Sequence, residues 1–308
     1  MYLNTNIGST IVKRKINGTV PLTIDKAAIK SIYTPCFSKV FRNFLIMMVE
    51  AAGKKNEHSK ELYTQAESIL KNILKIDQKN TSNISVKNVT ESFLVSGRLD
   101  AEYYQPKYDR LFASLKNHPT QLLGGKDGIV TIKKSIEPGS DLYCDDGIPF
   151  VRVSDVTKYG ISETSIKLPR NIVEEPNKLY PKKNTILFSK DGSVGIAYKV
   201  EKDMEVITSG ALLHLIVKKP LEVLPDYLTL VLNSPIVQLQ AERDSNGAII
   251  KHWKPSEIEN VIIPILDIEI QKEIVSKIQE SFKLRRQSEQ LLEKAKQAVE
   301  LAIEQGEE

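Results

Sequence analysis

Several strings in this 308-residue chain carry the residue types of reactive sites, and each lacks the spacing that its chemistry requires. Methyl transfer to a DNA amino group calls for an Asn/Asp-Pro-Pro-aromatic box. The nearest string, Asn233-Ser234-Pro235-Ile236, has neither the second proline nor the ring. Gly124-Gly125-Lys126-Asp127-Gly128 holds the residues of a phosphate loop in the wrong order. Gly192-Ser193-Val194-Gly195 is too short for a dinucleotide fingerprint and falls where a hairpin turn is expected. His58, His118, His214 and His252 share no metal-ligand spacing. His214 stands in an apolar run and reads as a satisfied core residue, and Asp145-Asp146 reads as a solvated turn rather than a divalent-ion site. No G-x-S-x-G elbow presents a serine nucleophile. The expectation is a chain that is not an enzyme, binds no cofactor and holds no metal.

Composition sets the frame in which any binding residues must be held. Hydrophobic residues make up 41% and charged residues 27%, the balance of a globular protein. Net charge is +4 and the sequence pI about 8.7, below the pI above ~9 that marks a dedicated nucleic-acid binder. Charge therefore permits a polyanionic partner without demanding one. The longest uninterrupted apolar stretch, Phe44–Val49, is far too short for a bilayer, and no signal-peptide pattern opens the chain. A cytoplasmic location and no membrane partner are expected. Cys36 and Cys144 have no paired spacing and read as reduced thiols, the alternative being a single disulfide.

An internal repeat organises the chain. Pro35 matches Pro264 at a shift of 229, and along the same diagonal Leu3, Asn4 and Ile7 match Leu232, Asn233 and Ile236. Arg14, Asn17, Gly18 and Ile29 match Arg243, Asn246, Gly247 and Ile258, and Lys54, Ser59, Leu62 and Ala66 match Lys283, Ser288, Leu291 and Ala295. Each copy ends in a long helix, expected over 38–75 and 267–304 with Ser38 and Asp267 as N-caps. A 4-3-4-3 stripe runs through Leu45, Val49, Ala52, Asn56, Ser59, Tyr63, Ala66, Leu70 and Ile73. Its equivalent runs through Ile274, Ile278, Ser281, Arg285, Ser288, Leu292, Ala295, Val299 and Ala302. Apolar ends and polar middles repeated over several heptads predict a coiled coil with a register-fixing polar centre. The stripe fits parallel or antiparallel pairing, of which we take the antiparallel; two separate amphipathic helices are the alternative.

Between the repeats, after a polar linker at Asp77–Asn83, short apolar runs alternate with turn dipeptides. The runs are Ile148–Val153, Thr185–Ser189, Gly195–Val200, Val206–Ile207 and Leu212–Val217, with turns at Asp146-Gly147, Asp191-Gly192 and Ser209-Gly210. Helix-forming residues fill Asp100–Leu115, a short helix is expected at Pro225–Leu232, and a turn or helix start at Pro255–Glu259. The fold class is thus α+β: one mixed, strand-rich domain plus two long helices forming an antiparallel coiled coil.

Four segments of that domain carry a family resemblance. They are Arg98-Leu-Asp-Ala-Glu-Tyr-Tyr-Gln-Pro-Lys-Tyr108, Ile148-Pro-Phe-Val-Arg-Val-Ser-Asp155, Asn184-Thr-Ile-Leu-Phe-Ser-Lys-Asp-Gly-Ser-Val-Gly195, and Leu224-Pro-Asp-Tyr-Leu228 running on to Leu232-Asn-Ser-Pro235. With the helix after Ile263-Pro264, their order and spacing resemble the specificity subunit of type I restriction-modification systems. The resemblance implies a target-recognition domain at 84–263, spacer helices at 35–78 and 264–308, and at 1–34 the residual tail of a missing recognition domain: a half-length form. It further implies a DNA-binding, non-catalytic subunit that positions an adenine-N6 methyltransferase on a split double-stranded site. Methyltransferase subunits, and with them the restriction subunit, are the implied partners. Those partners would hold S-adenosylmethionine, and ATP with Mg²⁺. A homodimer through the helices is a further arrangement. A truncated remnant that binds methyltransferase without reading a site is the alternative function.

Reading DNA needs cations for phosphates and donors or acceptors for base edges. Within the resemblance, the candidates are Arg152 and Ser154 at the end of an apolar run, Lys190, Asp191 and Ser193 at a hairpin tip, Arg243 and Ser245, and Lys251-His252-Trp253-Lys254. Each has a plainer reading: Arg152 in an ion pair with Asp155, Asp191-Gly192 closing a hairpin, and Trp253 as buried packing. Helix pairing is assigned to Leu45, Val49, Asn56, Ser59, Tyr63 and Ala66 against Ile274, Ile278, Arg285, Ser288, Leu292 and Ala295.

Overall fold

The computed structural model describes residues 1–18, 22–75, 84–245 and 251–307. The expected linker at Asp77–Asn83 and the Asn246-Gly247 dipeptide lie outside the described residues. The chain forms two compact units, Met1–Thr64 with Gln279–Glu308, and Gln65–Ile278.

In the first unit, α1 (Asn6–Lys13) and α2 (Lys26–Lys30) lead into the long helix α3 (Lys39–Leu74). Thr5 caps α1 by accepting the Gly8 amide at 3.0 Å, and Ser38 caps α3 by accepting the Phe41 amide at 3.2 Å. Its other wall is the C-terminal part of α9 (Ile268–Gln305), which runs antiparallel to α3. Ser281 Oγ donates to the Ser59 carbonyl at 2.7 Å and lies 3.1 Å from Ser59 Oγ. Ser288 Oγ donates to the Ala52 carbonyl at 2.8 Å. Hydroxyls reach the opposite backbone because Ala52, Ser59, Ser281 and Ser288 are small and buried, so the two helices approach closely there. The polar middle is flanked by an apolar cluster of Leu45, Ala295 and Val299 with Phe37 and Phe41, and by Tyr63 edge-on to Phe282. Asn56, Arg285 and Leu292 are half-buried. Val49 departs from the expected stripe: it is 39% exposed and not a seam residue.

The second unit contains the strands. Before them come α4 (Val89–Ser96) and α5 (Pro106–Leu115). The helix expected from Asp100 starts only at Pro106, whose fixed φ suits a first turn. The strands follow as β1 (Thr120–Leu122), β2 (Val130–Lys133), β3 (Ile148–Val151), β4 (Val156–Thr157), β5 (Gly160–Ile161), β6 (Lys167–Leu168), β7 (Ile186–Ser189), β8 (Ala197–Lys199), β9 (Ile207–Thr208) and β10 (Leu212–Val217). Helices α6 (Pro225–Asn233), α7 (Pro235–Asp244) and α8 (Pro255–Glu259) precede β11 (Ile262–Pro264) and α9. An antiparallel sheet runs β2-β10-β7-β8, a second runs β6-β3-β9 with β3 and β9 parallel, and β1 pairs with β11.

The apolar runs Ile186–Phe188 and Leu212–Leu215 form the central strands because both of their faces are covered. A second cluster joins Ile148, Phe150, Leu168 and Ile207. Helix α6 is buried from Tyr227 to Leu232, and Tyr227 donates its hydroxyl to the Pro264 carbonyl at 2.8 Å. Burial raises the Tyr227 pKa, keeping that donor protonated.

The repeat survives as structure. Helices α1, α2 and α3 begin at residues 6, 26 and 39, and α7, α8 and α9 at 235, 255 and 268, the same shift of 229 each time. Thr5 and Ser234, equivalent under the shift, both cap with their hydroxyls.

Candidate nucleic-acid interface

Four backbone segments are laced together at the ends of β3, β7 and β9 and the start of β10. The Ser209 amide donates to the Val151 carbonyl at 2.8 Å, and the Lys190 amide to the Ala211 carbonyl at 2.9 Å. From the other side the Trp253 amide donates to the Lys190 carbonyl at 2.8 Å, and the Gly192 amide to the Lys251 carbonyl at 2.9 Å. This lacing brings Arg152, the 190–193 tip and Lys251–Lys254 onto neighbouring strands' ends, although they are 100 residues apart in sequence. The β7–β8 connection turns at Gly192 and Gly195, whose φ angles of 70° and 87° suit glycine.

The side chains there are exposed but engaged. Arg152, 44% exposed, lies 3.4 Å from Asp155, whose buried carboxylate also accepts the Arg152 amide at 2.9 Å. Ser154 is exposed and donates to the same carboxylate at 3.2 Å. Asp191 is shared: one oxygen accepts from the Lys190 ammonium, the other lies 2.8 Å from His252 Nδ1. His252 itself is 64% exposed. A carboxylate only accepts, so the proton sits on Nδ1 and the neutral ring presents Nε2 outward as an acceptor. Ser193 and Lys251 are exposed, and Lys254 is 68% exposed with Glu257 at 3.7 Å. Pairs of this kind in water are worth roughly 0–1 kcal/mol, so a phosphate can replace the carboxylate at little cost.

Three candidates belong elsewhere. Trp253 is 1% exposed and packs on Phe188 at 5.9 Å between ring centres, so it anchors the connection from inside and cannot meet a duplex. Arg243 is stacked over Phe112 at 4.4 Å and Tyr103 at 5.1 Å, with Asp244 at 2.6 Å. Ser245 closes α7, and its hydroxyl is buried. Arg243 joins a framework with Arg98, which holds Asp100 through two bonds of 2.7 and 2.8 Å and donates to the Arg243 carbonyl at 3.4 Å. The bonded Asp100 raises the pKa of Arg98, and Arg98 lowers that of Asp100. Sequence reasoning missed Glu137, which reaches Ser209 Oγ at 3.4 Å and brings an acidic group to the same edge. It stands outside every apolar run and carried no signal.

Among the described residues no group of three or more acidic, His or Cys side chains is arranged to hold a metal, and no helix is long and apolar enough to cross a membrane. Cys36 and Cys144 are free thiols.

Comparison with known proteins agrees with this geometry. The chain is 27% identical over 151 residues to the Type I restriction enzyme EcoBI specificity subunit of Escherichia coli, covering 48% of this chain and 31% of that protein. It thus spans about a third of the length of that relative. Among solved structures, the HsdS subunit from Thermoanaerobacter tengcongensis aligns over 96% of this chain and 68% of its own, at 14% identity and a TM-score of 0.41. The S subunit of a type I restriction-modification system from M. genitalium aligns over 51% and 37%, at 16% identity and a TM-score of 0.37. Residues 127–297, more than half of the chain and including every segment of the laced surface, match the family described as Type I restriction modification DNA specificity domain. By that match the chain belongs to this family, as a specificity subunit of type I restriction-modification systems.

Proposed function

We propose that this chain reads a DNA sequence and lends that address to methyltransferase and restriction subunits, doing no chemistry itself. The observation that carries the reading is the laced surface, where Arg152, His252, Lys251 and Lys254 stand exposed on three separate segments fixed by backbone hydrogen bonds. Rigid placement of donors, acceptors and cations is what base readout requires, because a bidentate contact discriminates by ~1–3 kcal/mol only at correct geometry. The partners would hold S-adenosylmethionine and ATP with Mg²⁺ in the cytoplasm, and the adenine modified would lie at a position set by this chain.

The test is a map of methylated adenines in cells expressing the chain with its methyltransferase subunit. One sequence motif, lost when Arg152 and His252 are both changed to alanine, is the expected result. Gel shifts on random-sequence DNA with no preference at any salt concentration would instead leave only a methyltransferase-binding remnant.

A further inference from the structure

The repeat allows one surface to be compared with its own copy. In the C-terminal copy Leu232, Ile258, Val275 and Ile278 are 0%, 0%, 9% and 3% exposed. Their equivalents under the 229 shift, Leu3, Ile29, Ile46 and Val49, are 47%, 52%, 53% and 39% exposed. Local structure does not explain the contrast, since the helices of both copies begin at equivalent residues. What differs is the cover. Ahead of the C-terminal copy lies the body of residues 84–229, which meets it through backbone as well as side chains. The Asn233 amide donates to the Ala197 carbonyl at 2.8 Å, and its oxygen accepts the Ala197 amide at 3.0 Å. Strand β11 pairs with β1 of that body, and Gln238 donates to the Gly195 carbonyl at 2.6 Å.

The N-terminal copy keeps the residues that make this contact. Asn4 is exposed and identical to Asn233, while Leu3 and Ile29 are identical to Leu232 and Ile258. A solvent face has no need of a leucine, an isoleucine and an amide that repeat a buried trio residue for residue. We propose that the N-terminal copy is a docking surface for a strand-and-helix body built like residues 84–229 and carried by another polypeptide. A second copy of this chain does not fit the role, because its own body is already sealed by its own residues 230–267. Asn4 would take the strand-edge backbone groups that Asn233 takes from β8, giving register, while Leu3, Ile29, Ile46 and Val49 would supply apolar burial.

The test needs no DNA and stands apart from the DNA-reading proposal. The full chain is co-expressed with a tagged segment of residues 84–229 as the probe. Capture of the full chain at one-to-one is expected, with at least a tenfold drop for Leu3→Asp combined with Ile29→Asp. Because the free segment need not fold, the same segment is also joined ahead of Met1, where its last residue would precede Met1 as residue 229 precedes Leu230. Thiol labelling is then followed for Leu3→Cys and Ile29→Cys, each with Cys36→Ser and Cys144→Ser. Labelling at least tenfold slower in the joined protein than in the unjoined chain is expected, whether or not the free segment is captured. Equal labelling in the two overturns the proposal. So does protection in the unjoined chain accompanied by a dimeric mass in light scattering, which would make a second copy the occupant.

Discussion

His252 and His214 show how far one residue type is divided by its surroundings. His252 is exposed, with Asp191 holding its Nδ1 proton and leaving Nε2 free to accept from a base amino group. Changing His252 to alanine should therefore relax the sequence preference at one position of the recognised site and leave the others, as read by selection of bound sequences. A uniform loss of affinity with unchanged preference would make it a phosphate contact instead. His214 is 7% exposed on β10, its Nε2 2.8 Å from Thr208 Oγ1 and its residue paired across the sheet with Lys133. Burial, helped by the Lys133 charge, lowers its pKa from 6.5 to about 4. Between those values the unfolded chain takes up a proton that the folded chain refuses. The neutral ring's contribution is thus fully present above pH 6.5 and is lost as pH falls toward 4, on the order of 3 kcal/mol. Replacement by glutamine should flatten that part of a plot of unfolding free energy against pH.

Among the elements, the paired helices are governed by small residues rather than by a broad apolar seam. A sequence repeat that pairs antiparallel with itself places each contact twice. Ser59 against Ser281 has its twin in Ser288 against Ala52, since the 229 shift carries 59 to 288 and 52 to 281. Each serine hydroxyl meets an opposite helix carbonyl, which only close backbones allow. Ser288→Leu should force the helices apart and cost about 1–3 kcal/mol, whereas Ser288→Ala should cost no more than about 1.5 kcal/mol. Denaturant unfolding followed by helical circular dichroism would separate the two variants. Equal losses would mean that spacing is not what the serines set.

For the whole molecule, a net charge of +4 spread over 43 basic and 39 acidic residues leaves little long-range field. Affinity for DNA must come from cations gathered locally. Each cation neutralising a phosphate adds roughly 0.9 to the slope of log affinity against log salt. Removing Lys251 and Lys254 together should lower that slope by about 2 in the assembled complex, with the preferred sequence unchanged. A slope that stays put would move the phosphate-contacting surface elsewhere on the chain.

The periodic features were legible in the residues alone. The 229 repeat, both long helices, β10 and the Pro225 helix follow from local patterns, because backbone geometry turns spacing directly into a buried face. Short strands such as β1, β2 and β11 were not legible, since two to four residues carry no usable period and exist only through a distant partner. For the candidate interface, residue types pointed to Arg152, Lys190 and the 251–254 run, yet nothing local distinguished His252 from Trp253 next to it. Alternation places neighbours on opposite faces, and which face meets solvent depended on Phe188 lying beneath one of them. The exposure of Val49 was equally out of reach: its stripe matches that of buried Ile278, and the difference comes from what is packed against each copy. Sequence determined which elements could form and which residue types they carry. Tertiary structure alone decided which side chains are covered, because cover comes from segments far away along the chain.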